Sequence, residues 1–201
     1  MTEFPKIVFD VDNVLANTMK VFCEKASKLI GFEVTKKQIR SHKIVGSIPL
    51  PPETIFRIQT EVWSDWAVLP VLERNLYEKM DSFKKIGFEV YIATAVPSKL
   101  VPYVEKWIRS KRIPFSKFFH CSKKRPKSLI QAEALVDDSP EEVRRFVSSR
   151  RQGFLYRQPW NINSKVAKAI VVQNLDDVLR HYGVEKGENG VYRDIRWSGN
   201  G

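Results

Sequence analysis

The sequence predicts an α/β fold: a doubly wound, mainly parallel, Rossmann-like sheet with a small inserted α-helical cap. Three observations predict it. The runs Ile7-Val8-Phe9, Glu89–Ala93 and Ala134-Leu135-Val136 are short and β-rich without polar alternation, the pattern of strands buried on both faces. Helical stripes lie between the runs, so strand and helix alternate along the chain. After the first strand the alternation breaks, and residues 17–69 hold two helical patterns with no convincing strand.

Taken in order, the first strand ends at Asp10. A helix follows from about Asn17 to Ile30, with Val21, Phe22, Ala26, Leu29 and Ile30 on one face. A basic connector and the turn Ser47-Ile48-Pro49-Leu50-Pro51-Pro52 lead to a second helix, from Glu53 to about Trp66. Leu72, Leu76, Met80 and Phe83 predict a helix over 71–86, closed by Gly87 in a left-handed C-cap. The strand at Glu89 comes next, then a helix striped by Leu100, Val104, Trp107 and Ile108. Weaker strands are read at 118–121, 154–156 and 169–172. Ser139-Pro140-Glu141-Glu142 reads as a helix start: Ser139 as N-cap, Pro140 at the first helical position, Glu142 closing a capping box. Asn174 and Gly183 bracket a last short helix. The predicted division is a core over 1–16 and 70–185, a cap over 17–69 and a loosely ordered tail over 186–201.

Composition fits a globular chain of 201 residues, with 43% apolar and 28% charged residues. No apolar run approaches a membrane span, so no membrane partner is expected. Met1–Lys6 runs straight into a strand and is not read as a signal peptide. Cys23 and Cys121 match no metal spacing and read as thiols of a reducing, cytoplasmic setting. Net charge is +11, with a pI near 9.7. Such a balance favours anionic partners: phosphorylated metabolites, nucleotides or nucleic acid. Lys123-Lys124-Arg125, Arg144-Arg145 and Arg150-Arg151 concentrate that charge, either as solvated surface or around a phosphate entrance. His42, His120 and His181 show no ligand spacing.

The chemistry collects at strand ends, where open parallel sheets bind their ligands. Strand one ends at Asp10 with Asp12 two residues on, strand two at Thr94, and strand three at Asp137-Asp138. One such Asp is commonly a turn former. Several at one sheet edge repel one another unless a hard cation bridges them, and an all-oxygen set suits Mg²⁺ rather than zinc. Lys127, shortly before strand three, adds a compensating positive charge.

These residues resemble the haloacid-dehalogenase-like phosphohydrolases. Asp10-Val11-Asp12-Asn13-Val14 is similar to their first motif, Thr94 to the second, Lys127 to the third and Asp137-Asp138 to the fourth. The resemblance covers about residues 6–180, and the inserted helices fall where that superfamily places its cap. The 5'(3')-deoxyribonucleotidase branch is closer still. Its lysine also stands ten positions ahead of the first fourth-motif aspartate, and Lys127–Asp138 and Gln158-Pro159-Trp160-Asn161 are similar to it throughout. Asn13 departs from the glycine usual there, and Ala95-Val96-Pro97 also differ.

The resemblance implies that Asp10 is the nucleophile and Asp12 the general acid and base. It implies Mg²⁺ on Asp10, the Asp12 main chain, Asp137 and Asp138, with Thr94 and Lys127 on the phosphoryl oxygens. Phe22, Phe56, Trp63 and Trp66 of the cap are candidates to stack on a nucleobase, although aromatic residues in a small cap also serve packing. Trp63 and Trp66, three apart, are expected on one helical face. The implied substrate is a small phosphorylated molecule, first a (deoxy)nucleoside monophosphate. Another phosphorylated metabolite, or nucleic-acid binding on the same fold, are the alternatives.

Overall fold

The computed structural model describes residues 4–41, 44–148, 150–187 and 190–195. Its centre is a six-stranded sheet in the order β3-β2-β1-β4-β5-β6. The strands are β1 (Lys6–Asp10), β2 (Glu89–Thr94), β3 (Lys117–His120), β4 (Ala134–Asp137), β5 (Gln152–Tyr156) and β6 (Ile170–Val172). Every pairing in it is parallel. The weaker strands start or stop one or two residues from their predicted bounds.

Because successive strand residues point to opposite faces, β1 supplies two cores. Ile7 and Phe9 join Val90, Ile92, Val136 and Phe154 in the larger cluster. Val8 joins Tyr91, Ala93 and Leu135 in the smaller. The larger is covered by α3 (Leu76–Lys85), α4 (Val101–Ser110) and α6 (Leu175–His181), through Phe83, Trp107 and Val178. On the smaller side Phe146 of α5 (Pro140–Phe146) closes the sheet. Both faces are therefore dry, which is why the central strands lack alternation.

The chain leaves β1 for β2 and β3 on one side, then returns to β4 on the other. The sheet order thus reverses between β1 and β4, and their carboxyl ends flank a crevice.

Between β1 and β2 lie α1 (Thr18–Ile30) and α2 (Pro52–Ser64), packed on each other. Gly31 ends α1 in the left-handed region at φ 78°. The two ends of the insertion meet: Ala16 bridges Val71, Asn17 N–H donates to Pro70 O at 2.9 Å and Leu72 N–H to Leu15 O at 2.7 Å. This corrects the helix predicted from residue 71. Val71 is spent on pairing with Ala16, and Asn75 sits at φ 56°, so α3 starts only at Leu76.

Ser139 caps α5 as predicted, its hydroxyl accepting from Glu142 N–H, and Gly87 takes φ 97° behind α3. The loose tail expected from residue 186 is also corrected in part. Val184–Lys186 (β7) and Tyr192–Asp194 (β8) pair as an antiparallel hairpin. Tyr192 holds it down, packing on the larger core and donating its hydroxyl to Asp176 at 2.5 Å. Residues 196–201, and His42, lie outside the described residues. No helix among the described residues is long and apolar enough to cross a membrane.

Candidate active site

Asp10 closes β1 and Asp137 closes β4, so the parallel sheet brings both to one edge, and both are buried. The Lys127 ammonium lies between them, 2.5 Å from Asp10 Oδ1 and 2.5 Å from Asp137 Oδ2. Asp137 Oδ1 accepts the Ser139 N–H at 2.8 Å. Asp138 is buried beside them, its Oδ2 accepting the Trp160 indole N–H at 2.9 Å. Asn161 donates to the Asp138 carbonyl at 2.8 Å and also to that of Tyr156.

The electrostatics are those of a crowded anionic pocket. Burial pushes the Asp10 carboxyl well above the usual carboxylate range; Lys127 opposes the rise, and Asp137, Asp12 and Asp138 add to it. Asp137 is raised by burial too, again against Lys127. Burial alone would depress Lys127, but the two carboxylates outweigh it and hold the ammonium above its ordinary value. Lys127 thus bridges two buried carboxylates, and the third, Asp138, lies in the field of Lys36. Each of Asp10, Asp137 and Asp138 offers an oxygen, and these atoms lie within 4.8 Å of one another. An all-oxygen set with surplus negative charge fits a hard divalent cation of the Mg²⁺ kind.

Asp12 stands apart from this trio. It is less deeply buried, and its Oδ1 accepts the indole N–H of Trp63 at 3.0 Å. Asn13, in the left-handed region at φ 60°, turns the chain out of the site. Its Oδ1 accepts from Met19 N–H at 2.9 Å and from the Thr18 hydroxyl, tying the turn to the start of α1. Its carbonyl accepts from Gln158. Thr94 is fully buried at the end of β2, one strand from Asp10, whose register partner is Ala93. The Thr94 hydroxyl accepts from Val96 N–H.

Lys127 is held in place by a residue the sequence reading left on a basic surface. Arg151 donates to the carbonyls of Ser128, Ile130 and Ala132, at 2.8, 2.7 and 3.2 Å. Its guanidinium lies 3.6 Å above the Phe146 ring. It pins the loop from Lys127 to β4. Arg145, placed in the same way, pairs with Glu141 and Glu142.

Asp10, Asp12 and Asp137 open into a cavity of about 370 Å³ between sheet edge and insertion. Phe22, Phe56 and Trp63 line it, with Gln59 and Thr60 of α2 as polar neighbours. Trp66 does not reach it. The expectation that Trp63 and Trp66 share a helical face is corrected: α2 ends at Ser64, and Trp66 opens a separate 3-10 turn over Trp66–Val68 that packs on the core. Trp160, Asn161 and Gln158 carried no assigned role from the sequence, though they lie in a stretch that resembled the nucleotidase branch. Ile44, Gln59 and Thr60 had no signal of their own.

Residues 5–182 match the family described as 5' nucleotidase, deoxy (pyrimidine), cytosolic type C protein. Comparison with curated proteins gives no match. Among solved structures, YfnB from Bacillus subtilis, described as bound to magnesium, is similar at a TM-score of 0.57 and 10% identity, over 90% of this chain and 99% of that one. CbbY from Rhodobacter sphaeroides, in complex with xylulose-(1,5)bisphosphate, gives 0.54 and 14%, over 86% and 95%. A hydrolase from Pseudomonas syringae gives 0.55 and 10%, over 89% and 97%. At these identities the structural likeness establishes the fold alone.

Proposed function

The chain belongs to the cytosolic type C deoxy-5'-nucleotidase family, a branch of the haloacid-dehalogenase-like phosphohydrolases, and as a phosphoric monoester hydrolase of that kind we propose that it is a Mg²⁺-dependent 5'-nucleotidase acting on (deoxy)nucleoside monophosphates. The observation that carries the reading is the pairing of Asp10 with Lys127 beside Asp137, at the floor of a cavity whose wall is aromatic.

In this reading an Asp10 oxygen attacks phosphorus in line, and the bond from phosphorus to the leaving oxygen breaks. Asp12 gives its proton to that oxygen, and the nucleoside departs as an alcohol. Asp12, now ionised, takes a proton from the water that opens the Asp10 phosphoanhydride. Inorganic phosphate leaves and both aspartates return to their starting states. Lys127 and Thr94 hold the phosphoryl oxygens and stabilise charge spread over them in the transition state. Asp10, Asp137, Asp138 and the Asp12 main chain would hold Mg²⁺, which when bound offsets the repulsion between anionic nucleophile and anionic phosphoryl group.

We take residues 17–69 as the cap that selects the leaving group. Phe22, Phe56 and Trp63 offer apolar faces for a planar base, and Gln59 and Thr60 offer hydrogen bonds to its edge or to the sugar. Trp66 is left out of the recognition set. A cytoplasmic setting and a small, soluble phosphorylated partner complete the reading.

Turnover of a monophosphate panel, with and without Mg²⁺, tests it on wild type and Asp10→Asn. The expected result is metal-dependent release of phosphate from nucleoside monophosphates. Asp10→Asn should lose at least a thousandfold in kcat while keeping the wild-type far-UV spectrum. Wild-type turnover by Asp10→Asn removes it as nucleophile, and preference for sugar phosphates over nucleotides moves the substrate to another metabolite class.

A further inference from the structure

The indole N–H of Trp63 points at Asp12 Oδ1 from 3.0 Å, across a sequence separation of 51 residues. Trp63 is itself buried. Its ring stands edge-on to Trp107 of α4, centroids 6.1 Å apart at 87°. Trp107 in turn donates its indole N–H to Leu69 O at 2.8 Å. A chain of fixed aromatic rings therefore runs from a core helix, through the inserted helix α2, to the carboxylate next to the nucleophile. Simple packing accounts for the ring contact, but not for an N–H aimed at one carboxylate oxygen beside the reacting centre.

An indole N–H can only donate. Accepting from it, Asp12 Oδ1 is tethered, and the orientation of the carboxyl group is tied to the position of α2. From this geometry we propose that Trp63 is a positioning residue, holding the Asp12 carboxyl group in the orientation from which it delivers the proton to the leaving group and making delivery conditional on α2 being packed against the core. The inference rests on the reading of Asp12 as general acid. It adds a specificity consequence. Proton delivery matters most for leaving groups that are poor on their own, such as the alkoxide of a sugar, and little for a phenolate stabilised by a nitro group. Trp63 thus acts selectively on alkyl phosphates.

The test compares kcat/KM in Trp63→Phe, which keeps an aromatic ring and removes the N–H, for a nucleoside 5'-monophosphate and for its 5'-thio analogue, which carries the same base but leaves as a thiolate that needs little proton delivery. This ratio reports steps only up to phosphoryl transfer onto Asp10, so the shared hydrolysis of the intermediate does not enter it. The expected result is a loss on the oxygen ester at least tenfold greater than the loss on the thio analogue, since any loss of base binding falls equally on both. Equal losses on both substrates, or none on either, overturn the proposal. Asp12→Asn measured alongside separates the two claims. If it discriminates between the substrates and Trp63→Phe does not, the positioning role falls and Asp12 stays the acid. If Asp12→Asn fails to discriminate, both fall. Should Trp63→Phe not fold, benzothienylalanine at position 63 replaces N–H by sulfur at nearly unchanged shape and carries the same expectations.

Discussion

At Asn13 the backbone takes a left-handed turn at φ 60°, directly after the two aspartates, and the side chain ties down the start of α1 through Met19 N–H. The two duties are separable by substitution. Asn13→Gly loses this buried hydrogen bond but suits the turn, and should cost about 1 kcal/mol. Asn13→Ala loses the same bond and adds left-handed strain of about 1 kcal/mol, for a total near 2 kcal/mol in urea unfolding. A larger loss for glycine than for alanine would show that the turn is not what constrains this position. Asparagine therefore replaces the glycine usual in the nucleotidase branch without loosening the turn, because its short amide adds a hydrogen bond that glycine lacks.

Among elements, the segment that returns from the insertion is clasped to the C-terminal part of the chain by a buried polar network. Lys79 of α3 lies 2.5 Å from Glu73 and 2.7 Å from Asp176 at the start of α6. Glu73 also accepts from the Tyr156 hydroxyl and from Leu175 N–H. Removing one partner of a buried pair strands the other charges, so Lys79→Met should cost about 3 kcal/mol at neutral pH. The pH dependence has a definite sign. Burial would raise Asp176, but hydrogen bonds from Lys79 and Tyr192 outweigh it and hold the carboxyl below its usual range. Its stabilisation is complete above the ordinary carboxylate value of about 4 and is lost as pH falls through the lowered one. Burial would lower Lys79, yet Asp176 and Glu73 raise it overall, so its share disappears only as pH climbs through that raised value. Asp176→Asn should flatten the acid limb of stability against pH, measured by urea midpoints below pH 4. An unchanged limb would assign acid sensitivity to other carboxylates.

For the whole molecule, the proposed cation site at the buried carboxylates predicts that stability depends on Mg²⁺. A ligand bound only by the folded state stabilises it by about 2.7 kcal/mol at a hundredfold excess over its dissociation constant. Mg²⁺ should then raise Tm by roughly 5–10 °C, and Asp137→Asn should abolish most of that rise. A wild-type Tm indifferent to Mg²⁺ would argue against the trio as a cation site. The residues of this trio were legible in the sequence because strand signatures are local and parallel pairing sends every strand end to one edge. Thr94, at the end of β2, was legible on the same ground, whereas Lys127, in a turn ahead of β4, was legible through the spacing that resembled a known family. The Trp63–Asp12 and Trp160–Asp138 contacts were not. Each joins residues whose nearness depends on how an insertion or a turn packs, and no periodicity encodes that. The late start of α3 was hidden for a similar reason: apolar spacing continues through Leu72, while the pairing of Val71 with Ala16 is a long-range event. The central place of β1 has a last consequence, for biosynthesis. Lys6 finds its neighbour in β2 only when Glu89 exists, and Ile7 finds its second neighbour, in β4, only when Ala134 does. On the ribosome Asp10 is thus made well before its neighbours: it stays outside any sheet until β2 has emerged from the exit tunnel, and it meets Asp137 only after β4 has followed. Assembly of such distant pairs is slow, on the order of milliseconds to seconds, and a nascent chain stalled before Asp137 carries Asp10 without the two carboxylates that stand beside it in the folded protein.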